Sequence, residues 1–174
     1  MGGRKKDEDE GLKWSEETRQ VLLGCRTMII ESPLQLIFRD LFYRLPAFAE
    51  SHDVFLKLEG FNITGSIKVK TAIGLVEDLE QRGMARPSKT VLVESSSGNL
   101  GLALSLVCAI KGYKFICVTD PNANRTTIRG MELYGAKVMV VEDRDPAGGY
   151  LGSRLKKIDQ ILQSDPNAVW LNQY

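Results

Sequence analysis

Histidine is almost absent from this chain: His52 is the only one in 174 residues. One histidine cannot build a histidine-rich metal site, and this one leaves no serine–histidine–aspartate relay to assemble. Cysteine is nearly as scarce. Cys25, Cys108 and Cys117 lack metal-ligand spacing, and an odd count does not make a disulfide framework. Cys108 and Cys117 sit in apolar runs and read as buried structural thiols. Neither sign of charge prevails: 23 Lys and Arg face 22 Asp and Glu, for a formal net charge of +1. The basic excess of a nucleic-acid or membrane-surface binder is therefore missing. No apolar run reaches membrane-spanning length and no signal-peptide pattern opens the sequence. Lys6 stands where N-myristoylation needs Ser or Thr. The expectation is a cytoplasmic protein whose partners are small molecules, with no nucleic acid, membrane or metal.

What is present is an ordinary globular balance, 43% hydrophobic and 26% charged. Residues 1–13 are dense in charge and glycine and read as a disordered tail. Glu16 to Leu23 reads as a short helix with Ser15 as its N-cap. Ser32 to Leu36, broken by Pro33, suggests an extended segment near an edge. Short apolar strands and amphipathic helices then alternate. Strands are expected at Val54–Leu58, Thr90–Val93, Phe115–Val118, Lys137–Val141 and Ala168–Leu171. Helices are expected at Ser66–Arg82, Asn99–Ile110, Arg125–Tyr134 and Tyr150–Gln163, the last burying Leu151, Leu155, Ile158 and Leu162. Gly83, Gly112 and Gly135 supply stops. Such alternation means an α/β fold, a parallel twisted sheet with helices on both faces. Ligands of these folds bind at the carboxyl ends of strands. No Gly-x-Gly-x-x-Gly follows the first strand, so a dinucleotide is not indicated.

Two strand-to-helix loops carry chemistry. The first, KLEGFNITGSIK, ends with Lys68 in the first turn of a helix. The positive end of a helix dipole is a poor place for a structural cation and a useful one for an amine that must act as a nucleophile. By position alone, Lys68 reads either as a solvated surface lysine or as a Schiff-base lysine. The second loop, ESSSGNLG, lets backbone N–H groups converge at a helix N-terminus, where a carboxylate or phosphate would sit well. Simple N-capping by Ser97 is the plainer reading of that loop.

Taken together and in this order, the loops resemble the signature of fold-type II pyridoxal-phosphate (PLP) enzymes, the cysteine synthase and cystathionine β-synthase family. There the loops read K-L-E-x-x-N-P-T-G-S-x-K and E-x-T-S-G-N-T-G. The resemblance covers about residues 27–174. It implies PLP as cofactor, with Lys68 as its catalytic lysine and Asn99 on its 3′-oxygen. Ser96, Ser97, Gly98 and Asn99 would grip the substrate carboxylate, with Gln173 beside it. It also implies a homodimer. Residues 14–64 would begin the large PLP domain, and 65–174 would form the small αβ domain and the segment leading back. The PLP phosphate loop and the pyridine-nitrogen partner would lie outside these residues, as though the chain lacked a C-terminal half. Ile63 replaces the usual proline, Val69-Lys70 the usual Asp-Arg, and Leu100 a threonine common in cysteine synthases.

Leu100, with the segments CVTDP, VEDRDPAGGYLGSR and WLNQY, is similar to the branch that makes N-(2-amino-2-carboxyethyl)-L-glutamate, a source of 2,3-diaminopropionate for siderophores and peptide antibiotics. That branch implies O-phospho-L-serine as donor, loss of phosphate, and L-glutamate as amine acceptor. Arg154 and Tyr174 would then meet the acceptor's carboxylates, Arg154 through its bidentate fork. The alternatives are a cysteine synthase using sulfide, a threonine dehydratase or synthase, and a truncated non-catalytic paralogue that binds a complete enzyme.

Overall fold

The computed structural model describes residues 30–45 and 52–174. The chain divides into two units, Met1–Glu31 and Ser32–Tyr174, and the second is described here. The expected tail, the Glu16–Leu23 helix and Cys25 lie outside the described residues.

Four parallel strands form the central sheet in the order β5-β4-β3-β6: β3 (Val91–Ser95), β4 (Lys114–Thr119), β5 (Lys137–Val140) and β6 (Ala168–Trp170). The helices between them are α2 (Asn99–Lys111), α3 (Arg125–Leu133) and α4 (Leu151–Ser164), with α1 (Lys68–Gln81) before β3. Each of these boundaries falls within two residues of its expected place. The stops act as expected too: Gly83, Gly112 and Gly135 have φ of 68°, 75° and 85°, backbone that glycine adopts without a Cβ clash.

One face of the sheet is covered by α1, α2 and α3. Val69 and Val76 of α1 and Leu104 and Val107 of α2, all fully buried, meet Leu92 and Phe115 of the sheet there. The other face carries α4, whose Ile158 and Ile161 pack on Val93 and Val118. Burying a side chain the size of Ile158 is worth about 1.5–3 kcal/mol. Helix α2 is the central layer, which is why nearly every position on it is apolar.

Three expectations are corrected. Val54–Leu58 does not join the parallel sheet. As β2 (Val54–Lys57) it pairs antiparallel with an unforeseen strand, β1 (Phe42–Leu45), in the register Phe42↔Lys57 to Leu45↔Val54. The short connection over 46–53 allows a hairpin but not the longer crossover that parallel pairing needs. Ser32–Leu36 is not extended: Pro33–Gln35 is a 3₁₀ turn, with Ser32 and Gln35 forming a capping box and Pro33 in the first turn. Leu151 is 43% exposed rather than buried, because α4 meets the sheet only from Leu155 onward, and Ile161 takes its place in the core.

The closest packing in the layer of α2 and α3 surrounds Gly101. A Cβ there would lie 2.7 Å from Met131 Cε and 3.0 Å from Cys117 Sγ, whereas one on Gly74, an exposed glycine of α1, would meet nothing within 4 Å. Gly101→Ala is therefore expected to destabilise by about 1–3 kcal/mol through overpacking. Gly74→Ala should instead stabilise by about 0.5–1 kcal/mol through helix propensity. Urea melts of the two variants beside the parent check both signs.

Candidate active site

The carboxyl end of β3, the segment after β6 and the N-termini of α1 and α2 open onto a cavity of about 450 Å³. Lys68, Ser96, Ser97, Gly98, Asn99, Arg154, Gln173 and Tyr174, spread over more than a hundred residues of sequence, all line it. The structure thus brings every expected site residue together at one place.

Lys68 arrives there through a loop organised by Asn62, only 3% exposed. The Asn62 side chain accepts from Phe38 N at 3.1 Å and donates to Glu59 O at 3.0 Å and Glu59 Oε2 at 2.7 Å. Glu59 also takes Lys70 Nζ at 2.8 Å, and this pairing, with the Asn62 bond, holds its carboxyl below the usual range against a smaller desolvation effect. So Lys70, a departure from the family motif, makes a local clamp, while Val69, on the core face of α1, is fully buried. Lys68 is the first residue of α1, its amide donating to Ser66 Oγ at 3.3 Å. Its half-buried side chain has no ion-pair partner among the described residues.

The β3–α2 loop is not capped as its plainer reading has it. Gly98, not Ser97, is the N-cap residue of α2, and it has no side-chain cap bond. Ser96 Oγ does the capping, accepting from Gly101 N at 2.9 Å and Gly98 N at 3.3 Å. Ser97 and Asn99 are left exposed on the cavity. The amides of Ser97, Asn99 and Leu100 have no acceptor among the described residues. Three open N–H groups at the positive end of a 13-residue helix suit a carboxylate. Beneath the loop, Cys117 Sγ donates to Ser96 O at 3.3 Å, and burial pushes that thiol up to about 12. Cys108 is likewise free, buried and pushed up to about 12.

The segment after β6 closes the cavity through a residue that sequence reading passed over. Glu94, wholly buried in β3, accepts from Ser95 N at 2.7 Å, Trp170 Nε1 at 3.2 Å and Gln173 N at 3.2 Å. Burial raises its carboxyl above the ordinary range, and these donors oppose the rise. Gln173 Nε2 donates to Ser95 O at 2.7 Å and Tyr174 O–H to Ser95 Oγ at 3.4 Å. In the sequence Glu94 is the first letter of the ESSSGNLG motif and a charged residue closing an apolar strand, but neither sign names its partners.

Arg154 is no solvated helix arginine. It is 14% exposed at the side chain and its Nη1 lies 3.3 Å from Asp120 Oδ2. Its helix is capped by Asp145, which accepts from Gly152 N and Ser153 N at 2.7 Å and from Ser153 Oγ at 2.9 Å. Asp120 and Asp145 were not foreseen either. Both follow strands and precede prolines, a turn signal with no chemical signature of its own. The cavity lining contains two cations, Lys68 and Arg154, and no Asp or Glu.

A free amine, a row of open amides and a cationic lining define the sort of site that takes up an aldehyde cofactor and an amino-acid carboxylate. The comparisons agree with that class. Residues 33–174 match the family described as pyridoxal-phosphate dependent enzyme, and the chain belongs to that family. It is 44% identical over 122 residues to an N-(2-amino-2-carboxyethyl)-L-glutamate synthase of Ralstonia nicotianae, a match covering 70% of this chain and 36% of that protein. Among solved structures it resembles a hydrogen sulfide-producing enzyme from Fusobacterium nucleatum (TM-score 0.75, 26% identity, 84% of this chain and 47% of that one). It also resembles an O-ureido-L-serine synthase (TM-score 0.71, 31% identity, 84% and 45%). The chain spans less than half the length of each of these relatives. Both solved relatives share the α/β architecture with its parallel sheet. No helix among the described residues is long and apolar enough to cross a membrane.

The Asp145 cap carries a pH signature. Hydrogen bonds from Gly152 N, then from Ser153 Oγ, hold its carboxyl below the usual aspartate range. A depressed carboxyl stabilises the fold above its unfolded-state value and loses that contribution as pH falls through its folded value. The first turn of α4 is expected to fray on acidification below about pH 4, and Asp145→Ala should fray at neutral pH with that acid dependence removed. Amide exchange at Gly152 and Ser153, followed by NMR against pH, checks it.

Proposed function

We propose that this chain carries the substrate-binding face of a PLP-dependent β-replacement synthase. On this reading the donor is O-phospho-L-serine, the acceptor is L-glutamate, and the product is N-(2-amino-2-carboxyethyl)-L-glutamate for 2,3-diaminopropionate. The observation that carries it is the cavity lining: besides Lys68, the Arg154 guanidinium, three open amides and no carboxylate, a surface matched to substrates that are anionic at more than one place. The name of the Ralstonia relative supports the same choice.

The residues present fit the cofactor, because Lys68 offers an amine without an ion-pair partner and Asn99 stands exposed beside it on the cavity. When bound, PLP supplies the electron sink that makes an amino acid's α-proton removable. The chain's own residues do the rest. Lys68 would hold the cofactor covalently, take the donor's Cα proton at Nζ, and return a proton at the end of the cycle. The amides of Ser97, Asn99 and Leu100, with the side chains of Ser97 and Asn99, would hold the donor's carboxylate. Gln173, fixed through Ser95 and Glu94, would border the same carboxylate. Arg154 and Tyr174 would receive the acceptor while phosphate leaves Cβ and the glutamate amine takes its place. Leu100, 3% exposed on this wall, puts hydrocarbon where a sulfide-using relative would have a hydroxyl. A large PLP domain beginning in 14–64, a small domain in 65–174, a dimeric assembly and a cytoplasmic setting complete the reading.

The chain loaded with PLP and reduced with borohydride should yield a Lys68 peptide carrying the cofactor. With O-phospho-L-serine it should release phosphate and consume glutamate rather than sulfide. Lys68→Ala should lower turnover by roughly 10²–10⁴-fold. Consumption of sulfide in preference to glutamate would turn the assignment to a cysteine synthase. A folded chain that never labels at Lys68 would make it a non-catalytic relative.

A further inference from the structure

Asp120 stands just after β4 and is 5% exposed. Its Oδ1 accepts from Asn122 N at 2.9 Å, so the turn after the strand fixes the carboxylate. Its Oδ2 faces Arg154 Nη1 at 3.3 Å. Asp120 does not line the cavity, whereas Arg154 does. The aspartate thus holds the guanidinium from behind. Asp120 is the one carboxylate paired with Arg154 among the described residues, and Arg154 Nε is buried there with no hydrogen-bond partner. A guanidinium has five N–H donors in a rigid plane, and fixing one edge of that plane sets the direction of the others. A lysine at position 154 could not be aimed in this way.

We infer that Asp120 is a positioning residue, which holds the Arg154 guanidinium at the cavity wall in the orientation that receives the side-chain carboxylate of an acidic amino acid. The inference rests on the acceptor reading given above and adds the residue that makes that acceptor's second carboxylate selectable. Asp120 touches no substrate. Its effect runs through Arg154, so it appears as a difference between an acidic amino acid and its neutral isostere.

The test titrates the PLP-loaded chain with L-glutamate and with L-glutamine by calorimetry and follows the Arg154 Nε–Hε resonance by NMR. The parent is expected to prefer glutamate by about tenfold or more, the scale of a hydrogen bond to a charged group. Asp120→Asn should lose most of that preference and shift Arg154 Nε–Hε to the position of a mobile arginine. Asp120→Asn added to Arg154→Lys should lower the preference no further. Removing the partner of a buried charge can cost the fold, so Asp120→Glu is run beside it. Moving the carboxylate by one methylene must change both the glutamate-to-glutamine ratio and the Nε–Hε shift. If either Asp120 variant keeps the parent's ratio and resonance, the inference is overturned and the acceptor reading stands. A parent with no preference for glutamate would overturn the acceptor reading and the inference with it.

Discussion

A carboxylate buried in the middle of a sheet is the constraint on which the rest of the site depends. Glu94 sits on β3, where both neighbouring positions, Val93 and Ser95, are also inaccessible to water. A charge or polar group so placed is costly unless hydrogen bonds satisfy it. The chain satisfies it with Ser95 N of the same strand, with Trp170 Nε1 at the end of β6 and with Gln173 N in the segment beyond it. The electrostatic demand of one residue therefore fastens the C-terminal segment to the loop that caps α2. Gln173 and Tyr174 reach Ser95 because Glu94 has already drawn their backbone there. Two walls of the cavity, nearly eighty positions apart in sequence, are joined through Glu94 and its neighbour Ser95.

Much of the fold was legible because the parallel sheet writes itself plainly. Its central strands, β3 and β4, are largely buried on both faces, its strands read as short apolar runs, and the glycines that end its helices need a left-handed backbone. The hairpin was harder to see. β1 places Phe42 and Tyr43 half in solvent and interrupts them with Arg44, so no alternation marks it as a strand. The 3₁₀ turn at Pro33 was misread because a proline that ends one helix also opens another. Leu151 looked buried because helical periodicity shows which residues share a face, not where along its length the helix meets the sheet.

The site divides the same way. Lys68 and the Ser-Gly-Asn loop were legible as motifs, each with a residue type that few other roles require. The pairings that hold the site in shape were not: Asn62, Glu94, Asp120 and Asp145 act through partners between 1 and 79 positions away. A single sequence records those residues but not the pairings. Ser97 shows the limit most clearly. It is a good capping residue next to a better-placed neighbour, and only geometry assigns the cap to Ser96.

Gly101 lies two positions beyond Asn99, in the first turn of the helix whose N-terminus borders the cavity. Its missing side chain lets α2 settle against Met131 and Cys117, and the depth of that settling fixes how far the open amides stand from Lys68. The core at this point works as a gauge for the site. A packing change meant only for the interior would be read out at the cavity as altered reach between amine and amides. Interior fit and the shape of the site are therefore coupled at position 101, which does not itself line the cavity.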